Sequence, residues 1–447
     1  MAIAIANARD VNNKAIYYVT GVDQETEIGK ARVNFINQGI FPFSTSDQKI
    51  GSALGKAKNL GNLVATTDES VYEDAEIVVV DVGLDIPYLD EEPQLQMEKF
   101  KNALQSVCQR IQKGALLVIE TTVPPGTCDK LVSPLIEKEL QKRGLEESSI
   151  HLAHSFERVM PGSNYLDSIV NFWRVYAGQT EAAADACENF LTSIIDTDRF
   201  PLTRVSTTRG SELAKVMENT YRAVTIAFVD EWTKYAEAIG IDLFEVIEAI
   251  RVRPTHSNIR SPGLGVGGYC LTKDPALAPA AARQLFELND LKFPFSELAI
   301  QVNQKMPLHT VNRLKQLIGK EDLCDMSILV LGLAYRQDIG DTRYSPAEQL
   351  VDALINLGAL VEGYDPLLTY WPERDWNLPS TLPAPNKFDA VVLTIQHREF
   401  LDLDLMRWLG ELRPIVLDAA NIFSRNERNI FRKAGLVIES IGRGNGL

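Results

Sequence analysis

No proline interrupts the chain from Ser211 to Ile239, and Leu213, Val216, Met217, Val224 and Phe228 recur there at helical spacing before Gly240 supplies a terminator. One long helix is the simplest reading. Before it, the β-branched runs Ile16–Val22, Ile77–Val82 and Ala115–Glu120 alternate with helix-like stretches such as Met97–Ile111, which is the rhythm of a parallel α/β sheet. After it come a helical segment, a Pro/Gly-rich stretch from Arg253 to Pro275, and a second α/β run that begins at Ser327. The pattern predicts an α/β protein in which two Rossmann-like parallel-sheet domains are joined by a long central helix and a helical domain. The expected boundaries are 1–204, 205–310 and 311–447, and a chain of 447 residues has room for them.

The last segment carries its own βαβ unit: a strand Ser327–Leu331, a turn with Gly332, a helix opening at Ser345-Pro346, and a strand Leu360–Tyr364 that ends at Asp365. Measured against that ruler, the N-terminus has a helix (Met1–Ala8) and a strand ending at Asp23, with neither a strand nor a glycine turn ahead of them. The expectation is an N-terminal sheet that begins one strand late. The corresponding gene product is then expected to encode an upstream β-branched strand and a Gly-x-Gly-x-x-Gly-like turn.

The charge balance narrows the ligands. With 60 acidic residues against 45 lysines and arginines, the chain has no overall basic face for nucleic acid. No apolar run reaches the roughly 18 residues of a membrane span, and the opening MAIAIANA lacks a basic flank and a cleavage site, so a cytoplasmic protein is expected. The five cysteines lie far apart without CxxC pairs, which predicts neither a disulfide framework nor a metal site.

Three constellations carry chemistry. In Pro262–Asp274, glycines crowd ahead of Cys270, as if the backbone must take positive φ or admit a ligand. Lys273 and Asp274 place a cation and a carboxylate beside the thiol. Cys108, Cys128, Cys187 and Cys324 read as structural thiols. On the long helix Lys215 and Asn219 are four residues apart and project from one face, an arrangement suited to stabilising an oxyanion. Asp23, at the end of its strand, suits the acid that binds a dinucleotide ribose.

Together these segments resemble the UDP-glucose/GDP-mannose dehydrogenase family of nucleotide-sugar 6-dehydrogenases from about Met1 to Ile422. The matches occur in family order: Val22-Asp23 with Asn37-Gln-Gly39, Glu120-Thr-Thr-Val-Pro-Pro-Gly126, Glu157-Arg-Val-Met-Pro-Gly162, Glu212 to Glu231, the cysteine motif Gly263–Pro275, and Gly332-Leu-Ala-Tyr-Arg336 leading to Asp341-Thr-Arg343. The resemblance implies NAD-dependent oxidation of the C6 hydroxymethyl of a nucleotide sugar, either a UDP-hexose or a UDP-N-acetylhexosamine, to the uronate. The implied nucleophile is Cys270, which would form a thiohemiacetal and then a thioester. Lys215 and Asn219 would stabilise oxyanions and contact the substrate, Asp274 would act on water, and Thr122 and Glu157 would line the cleft. Asp23, Arg32, Thr122, Lys273 and Arg343 are the implied contacts to NAD. Arg260, Gly267 and Arg336 are those to the UDP-sugar, with Arg251 and Arg253 as further cations for its diphosphate. A homodimer through the central helix is also implied. Departures from the family pattern include Phe156 where proline often stands and Arg336 in place of lysine. A nucleotide-sugar-binding protein without redox activity is the alternative, because the pyrophosphate loop is missing from this sequence.

Overall fold

The computed structural model describes residues 1–43, 45–89, 92–146, 149–160 and 162–444. The chain divides into two units, Met1–Glu218 with Ala276–Lys292, and Asn219–Pro275 with Phe293–Leu447.

In the first unit, β1 (Val19–Val22) pairs in parallel with β2 (Leu63–Thr66), its one partner among the described residues. A second sheet contains β3 (Ile77–Val80), β4 (Leu116–Ile119), β5 (His151–Phe156), β6 (Val175–Gly178) and β7 (Thr203–Arg204) in sequential order, parallel except for β5 against β6. Among the described residues no strand joins β1 to β3. A short apolar helix, Ala2–Asn7, connects the two cores instead. Its Ile5 packs with Leu116, Val118 and Ala153, while Ala6 packs with Leu54, Ala57 and Leu63. No side chain caps the start of this helix.

Strand ends differ from the sequence expectation where side chains replace ladder bonds. Pairing in β1 begins at Val19 rather than Ile16, since the Tyr17 carbonyl is taken by Asn62 Nδ2. The β3 ladder stops at Val80 rather than Val82. Beyond it, Thr121 Oγ1 accepts the Val82 amide at 2.8 Å and donates to the Val80 and Val82 carbonyls, so one hydroxyl does what a neighbouring strand would do.

The long helix runs Thr208–Ala238, starting three residues earlier than the apolar pattern suggested, because Thr207 Oγ1 accepts the Gly210 amide at its start. Gly240 follows with φ +77°. In the second unit, β8 (Ser327–Leu331), β9 (Leu360–Tyr364), β10 (Ala390–Leu393), β11 (Ile415–Asp418) and β12 (Ile438–Ser440) form one all-parallel sheet in the order β9-β8-β10-β11-β12. Ile328 and Val330 point to one core, Leu329 and Leu331 to the other, and all four are fully buried. Each contributes about 1.5–3 kcal/mol, so a one-residue slip in register would exchange the two cores. No helix among the described residues is long and apolar enough to cross a membrane, and no cluster of His, Cys, Asp and Glu among them is placed to hold a metal ion.

Candidate active site

The glycines before Cys270 serve packing within the second unit. A Cβ on Gly267 would lie 2.7–2.8 Å from Pro346, Tyr335 and the Tyr344 carbonyl, and one on Gly265 would lie 2.8 Å from Pro346. Gly268 alone in this run has positive φ, +82°, with the Tyr335 ring against it. The loop is therefore moulded onto the turn that carries Tyr335 and Arg336. Cys270 is exposed, and its carbonyl accepts the Lys273 and Asp274 amides at 3.2 and 2.8 Å, which closes the turn after the thiol.

Asp274 is fully buried and both its oxygens are engaged. Asn219 Nδ2 donates to Oδ2 at 2.6 Å, and Lys273 Nζ donates to Oδ1 at 2.7 Å while lying 4.7 Å from the Tyr269 ring centroid. Burial removes water from this carboxyl group, and these two hydrogen bonds take its place. Lys273, expected beside the cofactor, thus makes its ion pair with Asp274.

In the first unit Lys215 is almost fully buried. Its ammonium donates to the Glu157 carbonyl at 2.7 Å, stands 3.8 Å from the Glu157 carboxylate, and lies 5.3 Å from the Phe156 ring. Phe156, the departure from the family pattern, supplies an aromatic face to this cation. Glu157 also accepts the Val159 amide, and Arg158 pairs with Glu218 at 2.9 Å. Pro161 of the same motif lies outside the described residues. Thr122 is half-buried, next to the Thr121 that ties down the loop after β3.

Glu212 had no assigned role in the sequence reading. It is fully buried and accepts the Gly126 and Cys128 amides at 2.5 and 2.7 Å, and burial pushes its carboxyl up to about 7. An acid three residues before Lys215, on the same buried helix face, was the available signal.

Asp23 stands at the close of β1 with Arg32 3.5 Å away, and the Arg32 guanidinium sits 5.4 Å from the Phe43 ring centroid. Arg343, expected to extend toward a cofactor, folds back on Asp341 at 2.7–3.2 Å. Arg251 is occupied bracing the Ile259 carbonyl and Ser261. Arg336 is half-buried and makes no hydrogen bond or ion pair to any described residue, and Arg260 Nε is buried without a partner. Of the other cysteines, Cys108 and Cys187 are pushed up to about 12 by burial and Cys128 well above its ordinary value, so none of the three is poised as a thiolate. Cys324, read as structural, is instead exposed in a turn against Gly358.

Three models of one family match in order: the NAD binding domain over residues 10–195, the central domain over 209–305 and the UDP binding domain over 329–425. The UDP-N-acetyl-D-mannosamine dehydrogenase of Methanocaldococcus jannaschii is 32% identical over 430 residues, 95% of this chain and 91% of that one. The NDP-N-acetyl-D-galactosaminuronic acid dehydrogenase of Ralstonia nicotianae is 28% identical, covering 91% of this chain and 90% of its own. The solved UDP-D-ManNAc dehydrogenase of Pyrococcus horikoshii superposes with a TM-score of 0.82 at 28% identity, over 99% of this chain and 96% of that one. The motif order, the two parallel sheets and these full-length matches agree, and the chain belongs to the UDP-glucose/GDP-mannose dehydrogenase family of NAD-dependent nucleotide-sugar dehydrogenases.

Proposed function

We propose that this chain oxidises the C6 hydroxymethyl of a UDP-N-acetylhexosamine to the uronate through a covalent adduct on Cys270. The observation that carries the reading is the turn Cys270–Asp274, where an exposed thiol is followed by a buried carboxylate held by Asn219 and Lys273. The relatives named for N-acetylmannosamine and N-acetylgalactosaminuronic acid favour the N-acetylated sugars over UDP-glucose.

NAD, when bound, accepts a hydride in each of two oxidations. The residues present fit its adenosine end: Asp23 is a partly exposed carboxylate at the end of a parallel strand, with Arg32 alongside. No Gly-x-Gly-x-x-Gly turn precedes Asp23 in this sequence. Thr122, Lys273 and Arg343 are the further contacts assigned to the cofactor. Arg260, Gly267 and Arg336 are assigned to the nucleotide sugar. Arg336 and Arg260 are suited to its diphosphate, since neither guanidinium is committed to a carboxylate.

Cys270 Sγ adds to the C6 aldehyde, forming a C–S bond and an oxyanion that the Lys215 ammonium and Asn219 amide stabilise. After the second oxidation the adduct is a thioester. Water attacks its carbonyl, Asp274 orients that water, and cleavage of the C–S bond releases the carboxylate and restores the thiol. Thr122 and Glu157 are assigned to the same chemistry, Glu157 by fixing the lysine. The exposed Met217, Tyr221, Phe228, Trp232 and Tyr235 along the long helix support a homodimer formed through it.

The test follows NADH at 340 nm with a panel of UDP-hexoses and UDP-N-acetylhexosamines. Cys270→Ser abolishes uronate formation, and Cys270→Ala retains nucleotide-sugar affinity because the thiol contributes chemistry rather than ground-state binding. Uronate formation by either variant at the wild-type rate overturns the covalent route.

A further inference from the structure

The end of β5 meets the long helix at three points. His154 Nδ1 and Ser211 Oγ are 2.8 Å apart, the Glu157 carbonyl accepts Lys215 Nζ at 2.7 Å, and Arg158 pairs with Glu218 at 2.9 Å. On the helix these are positions i, i+4 and i+7, a single face, so the contacts together set the rotation of the helix about its own axis. The first contact differs in kind from the others. His154 and Ser211 are both completely buried, and a buried hydroxyl–imidazole bond is directional and costly to leave unmade. Arg158 and Glu218 remain partly exposed, and an ion pair there holds loosely.

The imidazole is also in the charge state this place demands. Burial and the neighbouring Lys215 ammonium push His154 down to about 3, so near neutrality the strand offers a hydrogen bond without a second cation beside the lysine. Ser211 is the imidazole's side-chain partner, and the Thr121 backbone is the other polar group acting on the ring.

We propose that His154, acting through Ser211, is a positioning residue that fixes the helix one turn before Lys215 and thereby aims the Lys215 ammonium at the oxygen developing charge on the substrate. This rests on the reading of Lys215 as the oxyanion donor. A lysine stem has many rotamers, and its tip is confined here by the Glu157 carbonyl that accepts it, the Phe156 ring and the place of its Cα. The last of these the His154–Ser211 bond controls.

The experiment is a double-mutant cycle on kcat in the full-length enzyme. Ser211→Ala should lower kcat about tenfold while leaving KM for nucleotide sugar and NAD within about twofold, a pattern reserved for interactions made at the transition state. His154→Leu should reproduce it, and His154→Asn, whose amide reaches the Nδ1 position, should recover most of the rate. In a Lys215→Ala background Ser211→Ala should cost nothing further. A second tenfold loss in that background, or a Ser211→Ala enzyme with a lowered Tm and wild-type kcat, overturns the positioning role alone. A Lys215→Ala enzyme with wild-type kcat removes the reading of Lys215 and this proposal with it.

Discussion

The two parallel sheets of this protein end comparable strands on an aspartate and put it to opposite uses. Asp23 closes β1 with its side chain 32% exposed, and its strand has one partner among the described residues. Asp365 follows β9 and is 1% exposed. Its Oδ2 accepts the Leu333 and Ala334 amides at 2.8 and 3.0 Å, its Oδ1 accepts Leu367, and His397 Nε2 donates to it at 3.1 Å. His397 Nδ1 accepts the Asp338 amide at 2.9 Å, which fixes the proton on Nε2. Burial alone would raise the Asp365 carboxyl, but His397 and the amides outweigh it and hold it below its ordinary value. The acid that in one sheet is left partly exposed beside Arg32 has in the other become the internal brace of the turn carrying Tyr335 and Arg336. A shared βαβ plan thus does not imply a shared ligand, because the orientation of one carboxylate decides it.

Asp365→Ala should have the largest effect on stability. It leaves two buried amides and an imidazole unpaired, at about 1–3 kcal/mol each, so calorimetry should show the melting temperature lowered by several degrees and nucleotide-sugar affinity weakened with it. A melting curve unchanged from wild type would make the two aspartates equivalent after all. Asp23→Ala should instead shift stability by no more than about 0.5 kcal/mol while raising KM for NAD at least about tenfold, given two charge-assisted bonds to ribose. Loss of stability without loss of NAD affinity would reverse the contrast.

The smallest effect is a difference in pH response. A depressed carboxyl such as Asp365 stabilises the fold above its ordinary pKa and loses that contribution as pH falls through the depressed value. Glu212 in the first unit is raised to about 7, so its contribution is complete below about 4.5 and is lost as pH rises through about 7. Glu212→Gln should lower the melting temperature throughout but remove part of the decline seen between about pH 5 and pH 8. A parallel offset at every pH would show that Glu212 is already ionised in the folded protein.

Much of this was legible in the sequence. The strands Ser327–Leu331 and Leu360–Tyr364 lie where the β-branched runs placed them, and the helix after the second turn opens at Ser345-Pro346, because local burial and capping agree there. The order of family motifs found the cysteine loop and the residues around it. The ends of β1 and β3 were misjudged because Asn62 and Thr121, remote in sequence, satisfy backbone groups that a strand would otherwise pair. The glycine run was correctly singled out, but the neighbours that require it, Tyr335 and Pro346, come some seventy residues later.

What the sequence determined by itself is the alternation of elements, the break between the two α/β runs, and the order of the family's motifs, since periodicity, capping and motif spacing are local properties. Only the tertiary structure decided which charges are paired: that Asp274 is held by Asn219 and Lys273, that Arg343 turns back on Asp341, that Asp365 is spent inside its own sheet, and that His154 reaches Ser211. Those outcomes depend on burial, which removes water as a competing partner. Burial belongs to the packed elements together and to no residue alone.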